Sequence, residues 1–143
     1  MSEVEVPEGW VTESLGKYVK LQGGNAFKSD KFKELGIPLV RISNIKQDGK
    51  IDLSDAVFYE ESSKFINFVV KNGDVLIAMS GATTGKVGLY NLDMYAYLNQ
   101  RVGRFLPKSK QIDMKFLHQL VKTNRFSEQV LIDAIGGAQP NIS

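Results

Sequence analysis

The sequence predicts an α/β domain with a curved, mostly antiparallel β-sheet and C-terminal helices. Short apolar runs are separated by turn signals such as Asp48-Gly49 and Asn72-Gly73, which is typical of strands joined by hairpins. After Asp113 the spacing changes, and apolar side chains recur every three or four residues, as on the buried face of a helix. The length of 143 residues fits a single domain over residues 1–143.

The composition excludes several classes of protein. The chain has no cysteine, so it can form neither disulfides nor thiolate metal sites. It has no run of eighteen apolar residues, and its first ten residues are acidic rather than basic and then apolar, as a signal sequence would be. We therefore expect a cytoplasmic protein.

Elements of the first half are predicted mainly from turn residues. Residues 10–22 favour two short strands, and Ser29 or Asp30 can cap one helical turn that ends before Gly36. Pro38 has no N–H to donate to a sheet, so it is expected to start a strand rather than interrupt one.

Residues 39–68 show a less regular spacing of apolar side chains. The strand after Pro38 is expected over residues 39–42, and residues 50–59 should return as extended chain. Residues 60–68 have mixed spacing and fit either a helix or a loop.

The centre of the chain predicts a β-hairpin. Residues 75–79 form an apolar run, residues 80–85 are small hydroxyl residues and glycines, and residues 86–90 read as the returning strand. Such a connection is dense in backbone N–H groups and hydroxyls and ends in Lys86, so it suits anions or polar edges. The alternative is a glycine-rich turn that serves only its own geometry.

After the hairpin, two more strands and two helices are predicted. The strands cover residues 95–98 and 102–106, and the second ends at Pro107. The helices begin near Asp113 and Arg125, and both carry an apolar stripe.

Basic residues are unevenly distributed. Residues 96–143 carry seven Lys or Arg against three Asp or Glu, whereas residues 1–95 carry eleven against thirteen. A basic surplus in one part of a chain is a requirement of a nucleic-acid-binding face. Lysines that simply point into solvent from surface helices would give the same count.

Two groups of polar residues are candidates for DNA contacts. Long side chains with fork-shaped donors at strand ends can reach base edges, since Arg pairs with guanine and Asn with adenine. These candidates are Arg41, Asn44, Gln100 and Arg101. Hydroxyl and lysine side chains on loops suit phosphates, and these candidates are Lys28, Ser29, Lys31, Ser80, Thr83, Thr84 and Lys86.

Purely structural roles are open for part of this set. Arg41 could be held in a salt bridge and Asn44 could cap a turn. Gln100 and Arg101 would face opposite sides of a strand, so at most one of them could be buried.

Five motifs occur in a fixed order over nearly the whole chain. They lie at residues 7–10 with 15–16, 36–45, 73–88, 98–102 and 136–143. In this order they resemble the target recognition domains in specificity subunits of type I restriction-modification enzymes. The central motif, Gly-Asp-Val-Leu-Ile-Ala-Met-Ser-Gly-Ala-Thr-Thr-Gly-Lys-Val-Gly, is the most distinctive of them.

The resemblance implies a non-catalytic module that binds duplex DNA. It would recognise one half of a bipartite target and direct partner methyltransferase and restriction subunits. Those subunits usually carry two recognition domains joined by long helices, so we expect this chain to be a fragment of a longer specificity subunit.

Little in the sequence points to catalysis. His118 is the only histidine, and the carboxylates show no metal-ligand spacing. There is no Asn-Pro-Pro or Asp-Pro-Pro motif of an adenine methyltransferase and no glycine-rich cofactor turn. We therefore expect no cofactor and no metal.

Two other functions are compatible with the hairpin loop. One is a protein- or ligand-binding module that uses the loop from Gly81 to Lys86. The other is a nucleotide hydrolase, which is disfavoured because a P-loop needs four residues between its glycines and a Ser or Thr after its lysine. Here three residues separate Gly81 from Gly85, and Val87 follows Lys86.

Overall fold

Two four-stranded sheets form the domain in a computed structural model that describes residues 19–108 and 113–122, apart from the side chain of Leu120. The strands are β1 Val19–Gly23, β2 Ile37–Val40, β3 Phe58–Tyr59, β4 Val69–Val70, β5 Val75–Ala78, β6 Val87–Leu89, β7 Ala96–Leu98 and β8 Val102–Pro107. Helix α1 spans Met114–Val121, and 3-10 turns span Ser29–Lys31, Ile42–Asn44 and Ser63–Phe68.

The first sheet has the order β1-β8-β5-β6, and all of its pairs are antiparallel. Strands β5 and β6 pair Ile77 with Val87, so the predicted central hairpin is confirmed. The second sheet has the order β3-β2-β7-β4 and contains one parallel pair, β2 with β7. The predicted antiparallel pairing is thus largely confirmed, but the strands form two sheets rather than one curved sheet.

Strand β5 is buried on both of its faces. Leu76 and Ala78 belong to a core shared with the second sheet, whereas Val75 and Ile77 pack with Leu117 and Val121 of α1. Successive side chains on a strand point to opposite faces, so a strand covered on both sides needs a continuous apolar run. Residues 75–78 supply that run.

An ion pair links Arg104 of β8 to Asp74, the residue directly before β5. Arg104 is 7% exposed, and its guanidinium lies 3.1 Å from the carboxylate of Asp74. It also donates to Gln22 Oε1 and to the carbonyl oxygens of Asn67 and Val69. Because the buried charge has both a counter-ion and hydrogen-bond acceptors, it can be accommodated in the interior. The sequence analysis did not identify this network.

Several local predictions need correction. Strand β2 starts at Ile37, one residue before Pro38, and ends at Val40. The turn Ser29–Lys31 exists, but its N-cap is Lys28, without a side-chain hydrogen bond, so neither Ser29 nor Asp30 caps it.

The predictions for residues 50–68 and for the C-terminal helices agree with the structure only in part. Of residues 50–59, only Phe58–Tyr59 forms a strand, and the undecided stretch 60–68 contains the 3-10 turn Ser63–Phe68. Helix α1, Met114–Val121, lies where the first of the two C-terminal helices was predicted. The first of the two strands predicted in residues 10–22 and the second helix from Arg125 lie outside the described residues. No helix in the described ranges is long and apolar enough to span a membrane.

Candidate nucleic-acid interface

The hairpin loop between β5 and β6 is fixed by its own hydrogen bonds. The Thr84 hydroxyl donates to the carbonyl oxygen of Gly81 over 2.7 Å, and the Lys86 N–H donates to the carbonyl oxygen of Thr83 over 3.0 Å. Gly81 and Gly85 adopt φ values of 84° and 92°, which glycine tolerates without a steric cost. Thr84 is buried, whereas Ser80, Thr83 and Lys86 are partly exposed.

The loop does not have the architecture of a P-loop. Lys86 is followed directly by strand β6, whereas a P-loop lysine opens a helix whose N-terminus binds phosphate.

The segment between β7 and β8 is a tight turn, not a strand. The Gln100 N–H donates to the carbonyl oxygen of Asn25, and the Val102 N–H donates to that of Asn99. Arg101 has a φ of 72°, and both Gln100 and Arg101 are exposed. The prediction that these two residues alternate across a strand is therefore wrong, because the turn presents both to solvent.

The 3-10 turn Ile42–Asn44 follows β2 and is organised by Asn44. The Asn44 side chain is fully buried. Its Oδ1 accepts from the Arg41 N–H over 2.8 Å, and its Nδ2 donates to the Asp52 carbonyl oxygen over 3.0 Å and to Asp55 Oδ1 over 3.3 Å. Asn44 thus caps a turn, and a buried amide with these partners has no free edge for a base.

Arg41 lies beside this turn with part of its guanidinium uncommitted. Its Nη2 donates to the Asp55 carbonyl oxygen at 3.4 Å. Its buried Nε has no hydrogen-bond partner in the described part of the chain, and the same holds for Oδ1 of Asn99. No carboxylate of the described residues forms a salt bridge with Arg41, which was the structural alternative for this residue.

The three segments line a row of adjoining cavities. A cavity of about 300 Å³ lies between Arg41 and the turn with Gln100 and Arg101. It shares Ile42 and Ser43 with a second cavity of about 370 Å³, whose far side is formed by Thr83 and Lys86.

A third cavity of about 630 Å³ continues from the second, with which it shares Gln47 and Lys86. It is bounded by the Asp48-Gly49 turn, β6 and the C-terminal end of α1. Because neighbouring cavities share lining residues, we describe the row as one feature, the basic groove.

Positive charge dominates the lining of the basic groove. Among the described residues that line it, six have cationic side chains, Arg41, Lys46, Lys50, Lys86, Arg101 and Lys122, and one is a carboxylate, Asp48. A concave surface with this balance concentrates anions and attracts polyanions over a distance. Sequence reasoning missed Lys46, Lys50 and Lys122. The signal for the first two was their position on either side of the predicted Asp48-Gly49 turn.

The structure brings only part of the predicted set together. Arg41, Thr83, Lys86, Gln100 and Arg101 line the basic groove. Lys28, Ser29 and Lys31 are exposed around another 3-10 turn. There Lys31 lines a separate cavity together with Glu60, Glu61 and Lys64.

His118 lies in the wall of the third cavity. Burial and then the nearby charge of Lys122 lower the pKa of its imidazole. No group of three or more His, Cys, Asp or Glu residues could hold a metal ion within the described ranges.

Comparisons with known proteins define the class of the chain. Residues 7–143 match the family model for the "Type I restriction modification DNA specificity domain". The chain belongs to this family of type I restriction-modification DNA specificity domains, and the predicted role of a specificity component rather than a catalytic one agrees with that membership.

Curated relatives point the same way. The chain is 36% identical, over 96% of its length, to the type I restriction enzyme MjaVIII specificity subunit of Methanocaldococcus jannaschii. It is 29% identical, over 79% of its length, to the type I restriction enzyme EcoAI specificity subunit of Escherichia coli. The chain spans 34% of the length of the first relative and 20% of the second.

Solved structures share the fold. The S subunit of a type I restriction-modification system from M. genitalium matches 98% of this chain with a TM-score of 0.64 and 15% identity, over 33% of its own length. The HsdS subunit of Thermoanaerobacter tengcongensis matches 87% with a TM-score of 0.62 and 15% identity, over 32% of its own length.

Proposed function

We propose that the chain is a single target recognition domain that binds duplex DNA through the basic groove. The observation that carries the proposal is the groove itself, whose described lining has six cationic side chains and one carboxylate. Family membership supports DNA as the polyanion.

Two parts of the basic groove have different roles in this proposal. Arg41, Gln100 and Arg101 meet at one cavity and have the fork-shaped donors that read base edges. Ser80, Thr83 and Lys86 belong to the hairpin loop and contact phosphates, which set the register of the protein on DNA.

The two buried candidates, Asn44 and Thr84, stabilise loops that carry the exposed residues of the basic groove. Asn44 holds the turn next to Arg41, and Thr84 closes the hairpin loop. Lys28, Ser29 and Lys31 form a second, separate phosphate-contacting region in this proposal.

The domain would recognise one half of a bipartite target, as a fragment of a longer cytoplasmic specificity subunit. It would direct partner methyltransferase and restriction subunits, and it would supply no catalytic group or cofactor itself. The relatives are named specificity subunits of type I restriction enzymes, which supports this assignment.

A salt series tests DNA binding directly. Fluorescence anisotropy with a labelled duplex should give a dissociation constant of roughly 10⁻⁴ to 10⁻⁶ M at physiological salt, as for a module bound mainly through phosphates. The affinity should fall linearly with salt on a double logarithmic scale, because phosphate contacts release counterions. Absence of binding at about 50 mM salt would contradict the proposal.

A second experiment addresses the division between recognition and catalysis. The chain alone, incubated with labelled S-adenosylmethionine and DNA, should transfer no methyl group, whereas addition of the methyltransferase subunits should restore transfer. Methyl incorporation by the chain alone, above a control without protein, would show that the assignment is wrong.

A further inference from the structure

Lys50, His118 and Lys122 line the third cavity of the basic groove, and none of them belongs to the base-reading residues or to the hairpin loop. We infer that Lys50, Lys122 and His118, together with Lys86, bind a phosphate of the DNA backbone beyond the base-reading end of the groove. This inference rests on the proposed function and extends the DNA contact surface onto helix α1.

Three different elements bring these side chains to one cavity. Lys50 follows the Asp48-Gly49 turn, Lys86 precedes β6, and His118 and Lys122 lie at the end of α1. The turn is joined to β6 by the hydrogen bond from the Leu89 N–H to the carbonyl oxygen of Gly49. The fold therefore sets the backbone positions from which these side chains reach the cavity.

Helix α1 is also held firmly against the sheet. Leu117 and Val121 have no exposed surface and pack in the same apolar cluster as Val87 of β6. Because His118 and Lys122 are one helical turn apart, they share a face of the helix and both reach the cavity.

Among the residues that the structure describes, the cations of this cavity have no anionic partner in a salt bridge. Within the described residues, neither the Lys50 nor the Lys122 ammonium forms a salt bridge, and the Lys86 ammonium contacts only the carbonyl oxygen of Ile45, at 3.4 Å. Asp48, the one carboxylate in the lining, accepts a hydrogen bond from the Lys50 backbone N–H over 3.0 Å. Because these cations line one cavity and like charges repel, an anion bound between them would be stabilised.

Continuity of the groove favours a backbone phosphate over a free anion. Lys86 and Gln47 line both this cavity and the neighbouring one, so a DNA strand that contacts the hairpin loop would continue into the third cavity. The volume of about 630 Å³ leaves room for a sugar-phosphate segment.

Phosphate binding here would also change the protonation of His118. Burial and Lys122 lower the pKa of its imidazole in the free protein, and Lys50, Lys86 and Asp48 are the other charged groups that line the cavity. An entering phosphate would favour the charged imidazole. DNA binding should then take up a proton and become tighter as the pH falls through the range in which His118 titrates.

The test measures the salt dependence of duplex binding for Lys50→Ala and Lys122→Ala. Each variant should weaken binding to all duplexes alike and reduce the slope of log affinity against log salt by about one unit, as expected for one lost phosphate contact. His118→Gln should remove the extra affinity gained at lower pH. The matched control is Lys20→Ala, because Lys20 is exposed on β1, at the opposite edge of the sheet from β6.

The outcomes separate this inference from the proposed function. If the unaltered protein binds no DNA, the proposed function fails. If it binds DNA but Lys50→Ala and Lys122→Ala keep the original slope and circular dichroism, the inference is overturned. A thermal shift by inorganic phosphate that both variants abolish, without any change in the DNA slope, would assign the cavity to free phosphate and also overturn it.

Discussion

The backbone N–H of Met79 donates a hydrogen bond to the carbonyl oxygen of Arg101 over 2.7 Å. This contact joins the start of the hairpin loop to the turn between β7 and β8, so the two candidate DNA-binding segments are held side by side. Arg101 sits in this turn with a φ of 72°, a conformation that is unfavourable for residues with a Cβ atom.

The positive φ of Arg101 predicts that two substitutions at this position differ in stability but not in DNA affinity. Arg101→Gly should be more stable than Arg101→Ala by about 1 kcal/mol, because glycine adopts positive φ without a steric cost. Both variants lose the guanidinium, so both should lose the same DNA affinity. Urea unfolding measures the first difference, and equal stability of the two variants would show that the turn relaxes without strain.

Adjacent glycines next to this turn should respond very differently to substitution. A Cβ atom at Gly24 would lie 1.9 Å from the carbonyl oxygen of Asn99, whereas one at Gly23 would meet nothing within 4 Å. Gly24→Ala should therefore cost about 3 kcal/mol or more of unfolding free energy, since backbone must move, and Gly23→Ala should change it by less than about 0.5 kcal/mol. Thermal denaturation of the pair checks this, and similar melting temperatures would contradict it.

The buried ion pair between Arg104 and Asp74 should show strong coupling. Asp74→Ala leaves the Arg104 guanidinium buried without its counter-ion and should cost about 3 kcal/mol. Replacing both residues, with Arg104→Met and Asp74→Ala, should cost less than the sum of the single changes. Urea denaturation of the four proteins in this cycle gives the coupling, and strict additivity would mean that the pair contributes nothing.

Tyr90 makes stability depend on pH in the alkaline range. Burial raises the pKa of its phenol from 10.0 to about 12, and the hydroxyl donates to the Met94 carbonyl oxygen over 2.7 Å. Above pH 10 the phenol ionises in the unfolded chain but not in the folded one. Stability should therefore fall as the pH rises from 10 towards 12, by on the order of 2 kcal/mol in all.

Tyr90→Phe removes this pH dependence. At neutral pH the variant should be less stable by about 1 kcal/mol, the net value of one hydrogen bond. Urea unfolding at pH 8 and pH 11 should show that the difference in unfolding free energy between the two proteins becomes smaller or changes sign at the higher pH. A gap that stays constant would show that the phenol titrates normally.

Elements were predicted correctly from the sequence where the spacing of apolar residues within one short segment reflects which of its faces are buried. The apolar run 75–79 predicted a strand because β5 is covered on both faces, and the spacing after Asp113 predicted α1 because one side of that helix packs on the sheet. The turn around Arg101 was missed because its positive φ occurs at a residue other than glycine, which leaves no sign in the sequence.

The candidate site was predictable only in part. Thr83, Lys86 and Arg101 could be recognised from the loop and its motifs, but the convergence of Lys50 and Lys122 on one cavity depends on how α1 packs against β6. For Asn44 the sequence left two roles open, because a side chain that caps a turn and one that reads a base have the same chemistry. Only its complete burial distinguishes them.

The most direct test of the account compares Arg101→Ala with Lys86→Ala in the complex assembled with the methyltransferase subunits, on cognate and scrambled duplexes. Arg101→Ala should cost roughly 1–3 kcal/mol on the cognate duplex and little on the scrambled one, since a base contact carries sequence information. Lys86→Ala should weaken both alike and reduce the salt slope by about one unit. Equal losses for both variants on both duplexes, or no effect of Lys86→Ala, would contradict the proposed division of the groove.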